Sequence, residues 1–184
     1  MTKARQLAKI RREIEKCAIC KRGKIGRPVP GEGNPSAKIV FVGEAPGREE
    51  AKTGRPFVGR AGKLLRSLIK EIGLSEKEVY ITNPVKYLPK IGTPSKDDIS
   101  HGKIHLQKQL EIIKPKLVAL LGNVAQKAIF DKPIPILKSH GSIVKAGGRE
   151  YFITIHPSAG LRFKKFRKIL ESDFKKLKTL VKKL

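Results

Sequence analysis

Side chains that could bind and act on a ligand lie in short motifs spread along this sequence. GEAPG at residues 43–47 offers the carboxylate of Glu44 among glycines, and GRPFVG shortly after it carries an aromatic ring, Phe57. Further along lie an amide, Asn83, and an imidazole, His156, the latter in the tripeptide His-Pro-Ser. Glycine allows close approach of the backbone to a ligand, and an Asn amide offers a donor beside an acceptor. These residue types together favour a ligand-binding pocket.

Predicted strands precede most of these motifs. The strands are apolar or alternating runs, at residues 38–42, 79–82 and 116–121 and in a hairpin at 142–155. GEAPG follows the first strand, Asn83 the second and His156 the last. Open α/β folds bind their ligands at the carboxyl ends of parallel strands. We therefore expect one shared site.

Helical patterns alternate with these strands. They cover residues 4–16, 62–71, 95–113 with Ser95 as N-cap, 122–130 and a basic stretch at 161–184. This alternation predicts an α/β fold, a three-layer α/β/α sandwich with a mostly parallel central sheet. The chain has 184 residues and shows no internal repeat, so we expect a single domain over residues 1–184.

Charge is the most unusual property of the composition. Lys and Arg number 41 against 16 Asp and Glu, a net charge of +25, and the excess is concentrated near both ends. Such a charge predicts an anionic partner, and nucleic acid is the commonest. The alternative is the Lys-rich surface of a thermophile, although such surfaces usually carry matching Glu. We find no apolar run long enough for a membrane helix and no secretory signal, and expect a cytoplasmic protein.

In order and spacing, GEAPG, GRPFVG, Thr82-Asn83 and His156-Pro-Ser resemble the motifs of family 4 uracil-DNA glycosylases. The resemblance extends from Cys17 to the final helix. It implies the uracil-DNA glycosylase fold and a monomeric DNA-repair enzyme. Such an enzyme flips uracil out of the base stack and hydrolyses its N-glycosidic bond, leaving an abasic site. The sequence leaves open whether the DNA is single- or double-stranded.

The resemblance implies a role for each residue of the base pocket. Gly43 and Ala45 belong to the base site, and Phe57 would stack on uracil, the alternative being a plain core position. Asn83 would pair with O4 and N3–H of uracil, or else only cap a turn. His156 would donate a hydrogen bond to uracil O2 as negative charge develops there, or else serve the structure.

The carboxylate that assists the hydrolytic water is an open question. In the best-known uracil glycosylases an Asp of the first motif activates this water, but Ala45 stands here, as is usual in family 4. Glu44 and Glu50 are the candidates to stabilise the sugar cation, orient water or crowd the C5 edge of the base against thymine. We expect Arg48 and Glu49 to face solvent.

The segment after the His motif resembles the loop that enters the minor groove and props the duplex open. Leu161 would be the wedge and Arg162 a phosphate contact. The alternative is an ordinary helix start with Leu161 in the core. Lys164 and Lys165 would add affinity for DNA that does not depend on sequence.

Family 4 enzymes are expected to hold a 4Fe-4S cluster on four cysteines, whereas this chain has two. Cys17 and Cys20 match the first pair. Tyr87 stands in the third place, and the fourth falls at or near Gly102. A four-thiolate site therefore cannot form within one chain.

Three interpretations of the remaining cysteines follow. The simplest is loss of the cluster without a replacement cofactor, with the two cysteines packed in the core or joined in a disulfide. Another is a zinc ion on Cys17, Cys20, His101 and His105, since the two histidines lie four residues apart on one helix face. The third is a degenerate cluster shared by two chains.

Three functions are compatible with the sequence. The first is a uracil-DNA glycosylase. The second is a non-catalytic nucleic-acid-binding protein on the same scaffold, although a pocket without activity has no use for intact Phe57, Asn83 and His156. The third is a glycosylase with shifted base specificity, for hypoxanthine or xanthine.

Overall fold

A computed structural model of the chain describes residues 1–130, 132 and 134–184. Its strands are β1 (Lys24–Ile25), β2 (Glu32–Gly33), β3 (Ile39–Val42), β4 (Val79–Thr82), β5 (Leu88–Pro89), β6 (Leu117–Leu121), β7 (Ser142–Ala146) and β8 (Arg149–Thr154). Its helices are α1 (Lys3–Lys16), α2 (Ala18–Lys21), α3 (Arg48–Thr53), α4 (Arg60–Glu71), α5 (Lys96–Ile113), α6 (Asn123–Ile129), α7 (Ile136–Ser139), α8 (Pro157–Arg162) and α9 (Lys164–Val181). Among these described helices, none combines the length and apolar character needed to cross a membrane.

The central sheet has six strands in the order β2-β4-β3-β6-β8-β7. The inner pairs β4–β3, β3–β6 and β6–β8 are parallel, whereas the edge strands β2 and β7 pair antiparallel with their neighbours. A separate two-stranded ribbon joins β1 to β5. The mostly parallel α/β sheet predicted from the sequence is confirmed.

Helices cover both faces of this sheet, as the fully buried strands require. In β3, Ile39 and Phe41 pack in one cluster with the apolar faces of α4 and α9. Val40 and Val42 point to the opposite face and pack in a second cluster with α5 and α6. A third, smaller cluster joins α1 and α2 to Tyr87 and α5. The three layers therefore follow from alternation along buried strands.

Two groups of elements differ from the sequence-based expectation. The prediction of one continuous final helix at 161–184 is wrong. Phe163 adopts an extended conformation (φ −133°, ψ 122°) and separates α8 from α9. Pro157 at the start of α8 and the His156 cap begin a separate short helix there. Six short elements were not predicted, namely β1, β2, β5, α2, α3 and α7.

The predicted hairpin of β7 and β8 is confirmed, with Gly147 and Gly148 in the left-handed region at its turn.

Candidate active site

The loops that leave the carboxyl ends of the parallel strands converge on one edge of the sheet. The backbone N–H of Gly43, after β3, donates to the Thr82 carbonyl at 3.0 Å, and that of Gly122, after β6, donates to the Thr154 carbonyl at 2.8 Å. These bonds extend the strand pairing by one residue before the chains diverge. Asn83 and His156, which follow β4 and β8, consequently meet at the same edge.

A cavity of about 440 Å³ lies at this edge. Its walls include most of the side chains that the motifs singled out, namely Glu44, Ala45, Glu50, Phe57, Asn83 and His156. Gly43 lies behind the wall, against Phe57 and Asn83. Residues from four separate segments therefore meet in one pocket, as expected for a shared site.

Phe57 sits in this wall in a conformation that L-residues rarely adopt. Its φ is +52°, in the left-handed region, and its side chain is 6% exposed. The ring centroid lies 5.9 Å from that of His156, with the planes tilted by 36°. Such a backbone conformation costs about 1–3 kcal/mol and persists only where the surroundings impose it. Phe57 both packs against the core and faces the cavity.

Arg66 and Gly62, both on α4, hold the backbone of Phe57 in place. The Arg66 guanidinium donates from Nε to the Phe57 carbonyl and from a terminal nitrogen to the Pro56 carbonyl, each at 2.9 Å. Glu32 accepts a further bond from Arg66 at 2.8 Å. A Cβ at Gly62 would lie 2.0 Å from the Phe57 carbonyl group, so only glycine allows this approach of the helix. The strained conformation is thus imposed from two sides.

Glu50 ties the same loop to the start of α3. Its Oε1 accepts the N–H groups of Val58 and Gly59, both at 2.8 Å, and its Oε2 accepts the N–H of Gly47 at 3.1 Å. The residue is only 9% exposed. Both oxygens of this carboxylate are therefore engaged by the backbone on either side of Phe57.

Asn83 is almost completely buried, at 1% exposure, yet its Oδ1 has no hydrogen-bond partner among the described residues. A Cβ on Gly43 would lie 2.5 Å from this oxygen and 2.4 Å from Cζ of Phe57. Glycine at position 43 is therefore required for the amide and the ring to come so close. A buried, unpaired acceptor is costly in a folded protein and is best explained by a ligand that donates to it.

His156 is held as a neutral imidazole of defined tautomer. Its Nδ1 accepts the backbone N–H of Ser158 at 3.2 Å and lies 2.8 Å from the Ser158 hydroxyl. Because Nδ1 accepts, the proton of the neutral ring is on Nε2. Burial lowers the pKa of His156 to about 4, so the ring is uncharged at neutral pH. The cavity thus receives a neutral N–H donor.

Glu44 is a second carboxylate in the cavity wall. Burial raises its pKa, and the nearby positive charge of Lys127 on α6 opposes that rise. The neighbouring Ala45 contributes only a methyl group to the wall. Arg48 and Glu49 are exposed, as predicted, at the rim of the same cavity.

Comparison with known proteins decides the family. Residues 30–178 match the model of the uracil DNA glycosylase superfamily. A type-4 uracil-DNA glycosylase of Sulfurisphaera tokodaii is 45% identical over 95% of this chain and 84% of its own length. The chain belongs to the type-4 uracil-DNA glycosylases.

Further relatives are uracil-DNA glycosylases as well. A type-4 uracil-DNA glycosylase of Thermotoga maritima is 41% identical over 92% of both chains. A type-5 uracil-DNA glycosylase of Pyrobaculum aerophilum is 32% identical over 72% of this chain and 66% of its own length. The family resemblance predicted from the motifs is confirmed.

Away from the base cavity, this type-4 chain brings together the four candidate metal ligands. The ligand atoms of Cys17, Cys20, His101 and His105 all lie within 4.8 Å of one another. Cys17 Sγ is 3.1 Å from Nε2 of His101. Both cysteines are free thiols.

The cluster expected for the family does not fit these residues. Tyr87, in the third cysteine place, is 3% exposed and points its hydroxyl at the Ile14 carbonyl, 3.5 Å away. At Gly102, in or near the fourth place, a Cβ would lie 2.3 Å from the Pro84 carbonyl oxygen. A cysteine there would require the backbone to move, and two thiolates alone do not make the standard site.

The predicted DNA contacts of this family member lie on the surface, outside the cavity wall. Leu161 is 39% exposed, which excludes a fully buried core position. Arg162, Lys164 and Lys165 are exposed beside it. Phe163, for which no role was predicted, is also exposed, at 54%. It is an aromatic residue among basic ones, a pattern that the sequence already contains.

Proposed function

We propose that this chain excises uracil from DNA by hydrolysing the bond between N1 of the base and C1′ of deoxyribose, leaving an abasic site. The observation that carries the proposal is the buried Oδ1 of Asn83, which lacks a hydrogen-bond partner in the described part of the chain, beside Phe57 and His156 in one cavity. Membership in the type-4 uracil-DNA glycosylases supports the same substrate.

Asn83 distinguishes uracil from cytosine. Its Oδ1 accepts N3–H of the flipped base, and its amide NH₂ donates to O4. Cytosine presents an acceptor at N3 and a donor at its amino group, so both bonds are lost and buried groups are left unpaired. Discrimination of this kind reaches about 10⁴-fold.

Phe57 provides the surface on which the flipped base stacks. The bonds to Glu50 and from Arg66 hold the loop in place before the base arrives. Binding therefore costs little conformational entropy for ordering this loop. We assign Glu50 to positioning, because its two oxygens already accept three backbone N–H groups.

His156 stabilises the leaving group. As the C1′–N1 bond breaks, its electron pair moves onto uracil, and the developing charge on O2 accepts a hydrogen bond from Nε2–H. A neutral donor suits this step. Because the pKa of His156 is near 4, the ring stays uncharged and donates its hydrogen bond without placing a full positive charge in the buried site. Loss of one such donor typically lowers kcat about 10²–10³-fold.

Glu44 serves the sugar side of the reaction. Its carboxylate stabilises the positive charge on deoxyribose and orients the water whose oxygen bonds to C1′. The water proton leaves toward this carboxylate and then to solvent, and the uracil anion takes up a proton on release. Because Ala45 supplies no base, we infer that water attacks a sugar cation that is already largely formed.

The exposed segment at the start of α8 and α9 faces DNA in this proposal. Leu161 fills the space left by the flipped nucleotide, and Arg162, Lys164 and Lys165 contact phosphates. Exposed Phe163 lies next to this wedge and adds apolar area. We propose that the chain acts as a single-domain monomer in the cytoplasm on single- or double-stranded DNA.

Release of free uracil from a uracil-containing oligonucleotide tests the proposal. We expect release by the wild type and a fall of about 10²-fold or more in Asn83→Asp and in His156→Ala. Asn34→Asp is the matched control. Asn34 lies beside the first residue of β4, where its backbone N–H donates to the Val79 carbonyl, whereas Asn83 follows the last residue of that strand. Binding of DNA without release of any base would instead favour the non-catalytic interpretation, and release of hypoxanthine or xanthine alone would favour shifted specificity.

A further inference from the structure

Four metal-binding side chains meet at a place that the glycosylase reaction does not use. Cys17 is the N-cap of α2, Cys20 lies within that helix, and His101 and His105 lie one turn apart on α5. Their ligand atoms lie within 4.8 Å of one another. We propose that these residues bind a single zinc ion in place of an iron–sulfur cluster.

His105 is the side chain that most clearly lacks a partner. It is 6% exposed, and neither of its ring nitrogens has a hydrogen-bond partner among the described residues. Buried imidazoles are normally paired, because an unpaired polar atom has lost its bonds to water without replacement. A metal ion at the centre of the group supplies the missing partner for one of these nitrogens.

The geometry suits one ion. Zinc binds sulfur at about 2.3 Å and nitrogen at about 2.0–2.1 Å, which places tetrahedral ligand atoms about 3.3–3.8 Å apart. The four ligand atoms already lie within 4.8 Å of one another, so small side-chain rotations are enough to bring them to these distances. In a 4Fe-4S cluster each ligand binds a different iron atom, so the four ligand atoms must surround a larger body.

The ligand set and its spacing point to zinc among the metals. The chain has Cys-x₂-Cys and His-x₃-His, the spacing found in structural zinc sites. Two thiolates with two imidazoles in a tetrahedron are typical of zinc, and two thiolates balance its double charge. All four positions come from the protein, so no position remains for a reacting water, and the site is structural.

The proposed ion would join two parts of the fold that otherwise share a small apolar cluster. Cys20 packs there with Ile10 and Ile14 of α1, next to Tyr87. The segment between Tyr87 and α5 contributes Leu88, Pro89 and Pro94 to the wall of the base cavity. A metal that fixes α2 to α5 therefore stabilises one side of the pocket without touching the base.

Metal analysis of the full chain tests this inference. After purification with zinc present, we expect about one zinc per chain, with neither stoichiometric iron nor acid-labile sulfide. Cobalt(II) added to the metal-free protein should give the strong visible bands of tetrahedral cobalt and a thiolate charge-transfer band in the near ultraviolet. This readout uses the wild type and does not depend on how variants fold.

Variants locate the ion. In His105→Gln and in Cys20→Ser we expect zinc affinity to fall by about 100-fold or more, since even partners outside the ligand set can cost 10–100-fold. His140→Gln is the matched control, because His140 pairs with Asp173 and lies outside the cluster. A chelator should lower the Tm of the wild type and of this control, but not that of a variant that binds no metal.

Several results would overturn the proposal. Among them are iron with sulfide in the purified protein, a Cys17–Cys20 disulfide in the zinc-treated chain, and wild-type protein that binds neither zinc nor cobalt. Unchanged zinc affinity in a folded His105→Gln variant would also refute it. None of these results bears on uracil release, so the two proposals fail independently.

Discussion

Glu50→Gln distinguishes a positioning carboxylate from a catalytic one. The carboxylate accepts three backbone N–H groups, two at 2.8 Å and one at 3.1 Å. A glutamine can keep its carbonyl oxygen on Val58 and Gly59, but its NH₂ group then faces the N–H of Gly47, donor against donor. One hydrogen bond to a charged group is lost, worth about 1.5–3 kcal/mol, and two are weakened.

The expected loss of stability is therefore about 2–4 kcal/mol. For a chain of this size each kcal/mol shifts Tm by about 2–4 °C, so Tm should fall by roughly 5–15 °C. This energy is comparable with the strain of about 1–3 kcal/mol stored at Phe57. Once the loop relaxes, Phe57 leaves its place in the wall, and a displacement of about 1 Å can cost about 10²-fold in rate.

The assay combines calorimetric unfolding with single-turnover release of uracil, measured well below the Tm of each protein. Glu171→Gln is the control, because the half-exposed Glu171 pairs with Arg167 on the same helix and lies outside the wall of the base cavity. Its stability should change by about 0.5 kcal/mol or less. A Glu50→Gln protein with the Tm of the wild type and strongly reduced release would refute the positioning role and return Glu50 to the chemistry.

Two further predictions concern the leaving group and the DNA wedge. The His156 ring should titrate near pH 4 by NMR, assigned with His156→Gln; an inflection at or above pH 6.5 would contradict the neutral donor. Since the folded pKa lies below the ordinary value of 6.5, this residue lowers stability as the pH falls from about 6.5 to about 4. Leu161→Ala should reduce uracil release from duplex DNA about tenfold or more and leave single-stranded DNA little affected, because only the duplex requires unstacking. The exposed Leu137 offers a matched control, Leu137→Ala, and equal losses on both substrates would argue against a wedge.

The fold was predictable where local patterns and tertiary structure agree. β4 at Val79–Thr82 and α5 at Lys96–Ile113 lie where the apolar run and the Ser95 cap predicted them. The edge strand β2 could not be predicted, because Glu32–Gly33 becomes a strand only by pairing with β4. The break at Phe163 was also hidden, since the helical pattern of basic and apolar residues continues through it.

The candidate site was predictable in its residue types and much less in their arrangement. Phe57, Asn83 and His156 lie together because each follows or faces the end of a strand, which the motif order already indicated. The left-handed conformation of Phe57 could not be predicted, because the sequence has no glycine at this position to indicate it. The role of Glu50 depends on N–H groups eight and nine residues away, whose position follows from the path of the loop.

The arrangement of polar groups in this pocket indicates whether catalysis depends more on stabilising the leaving uracil or on activating water. The neutral N–H donor of His156 and the amide oxygen of Asn83, which has no partner among the described residues, lie in the cavity wall, whereas the position next to Glu44 carries only the methyl group of Ala45. Strong activation of water would add little if the C1′–N1 bond breaks before water attacks. Stabilising uracil as it departs would then dominate the rate, because fixed donors in a buried site require no reorganisation as charge develops. On this reasoning, removal of His156 should slow the reaction more than removal of Glu44.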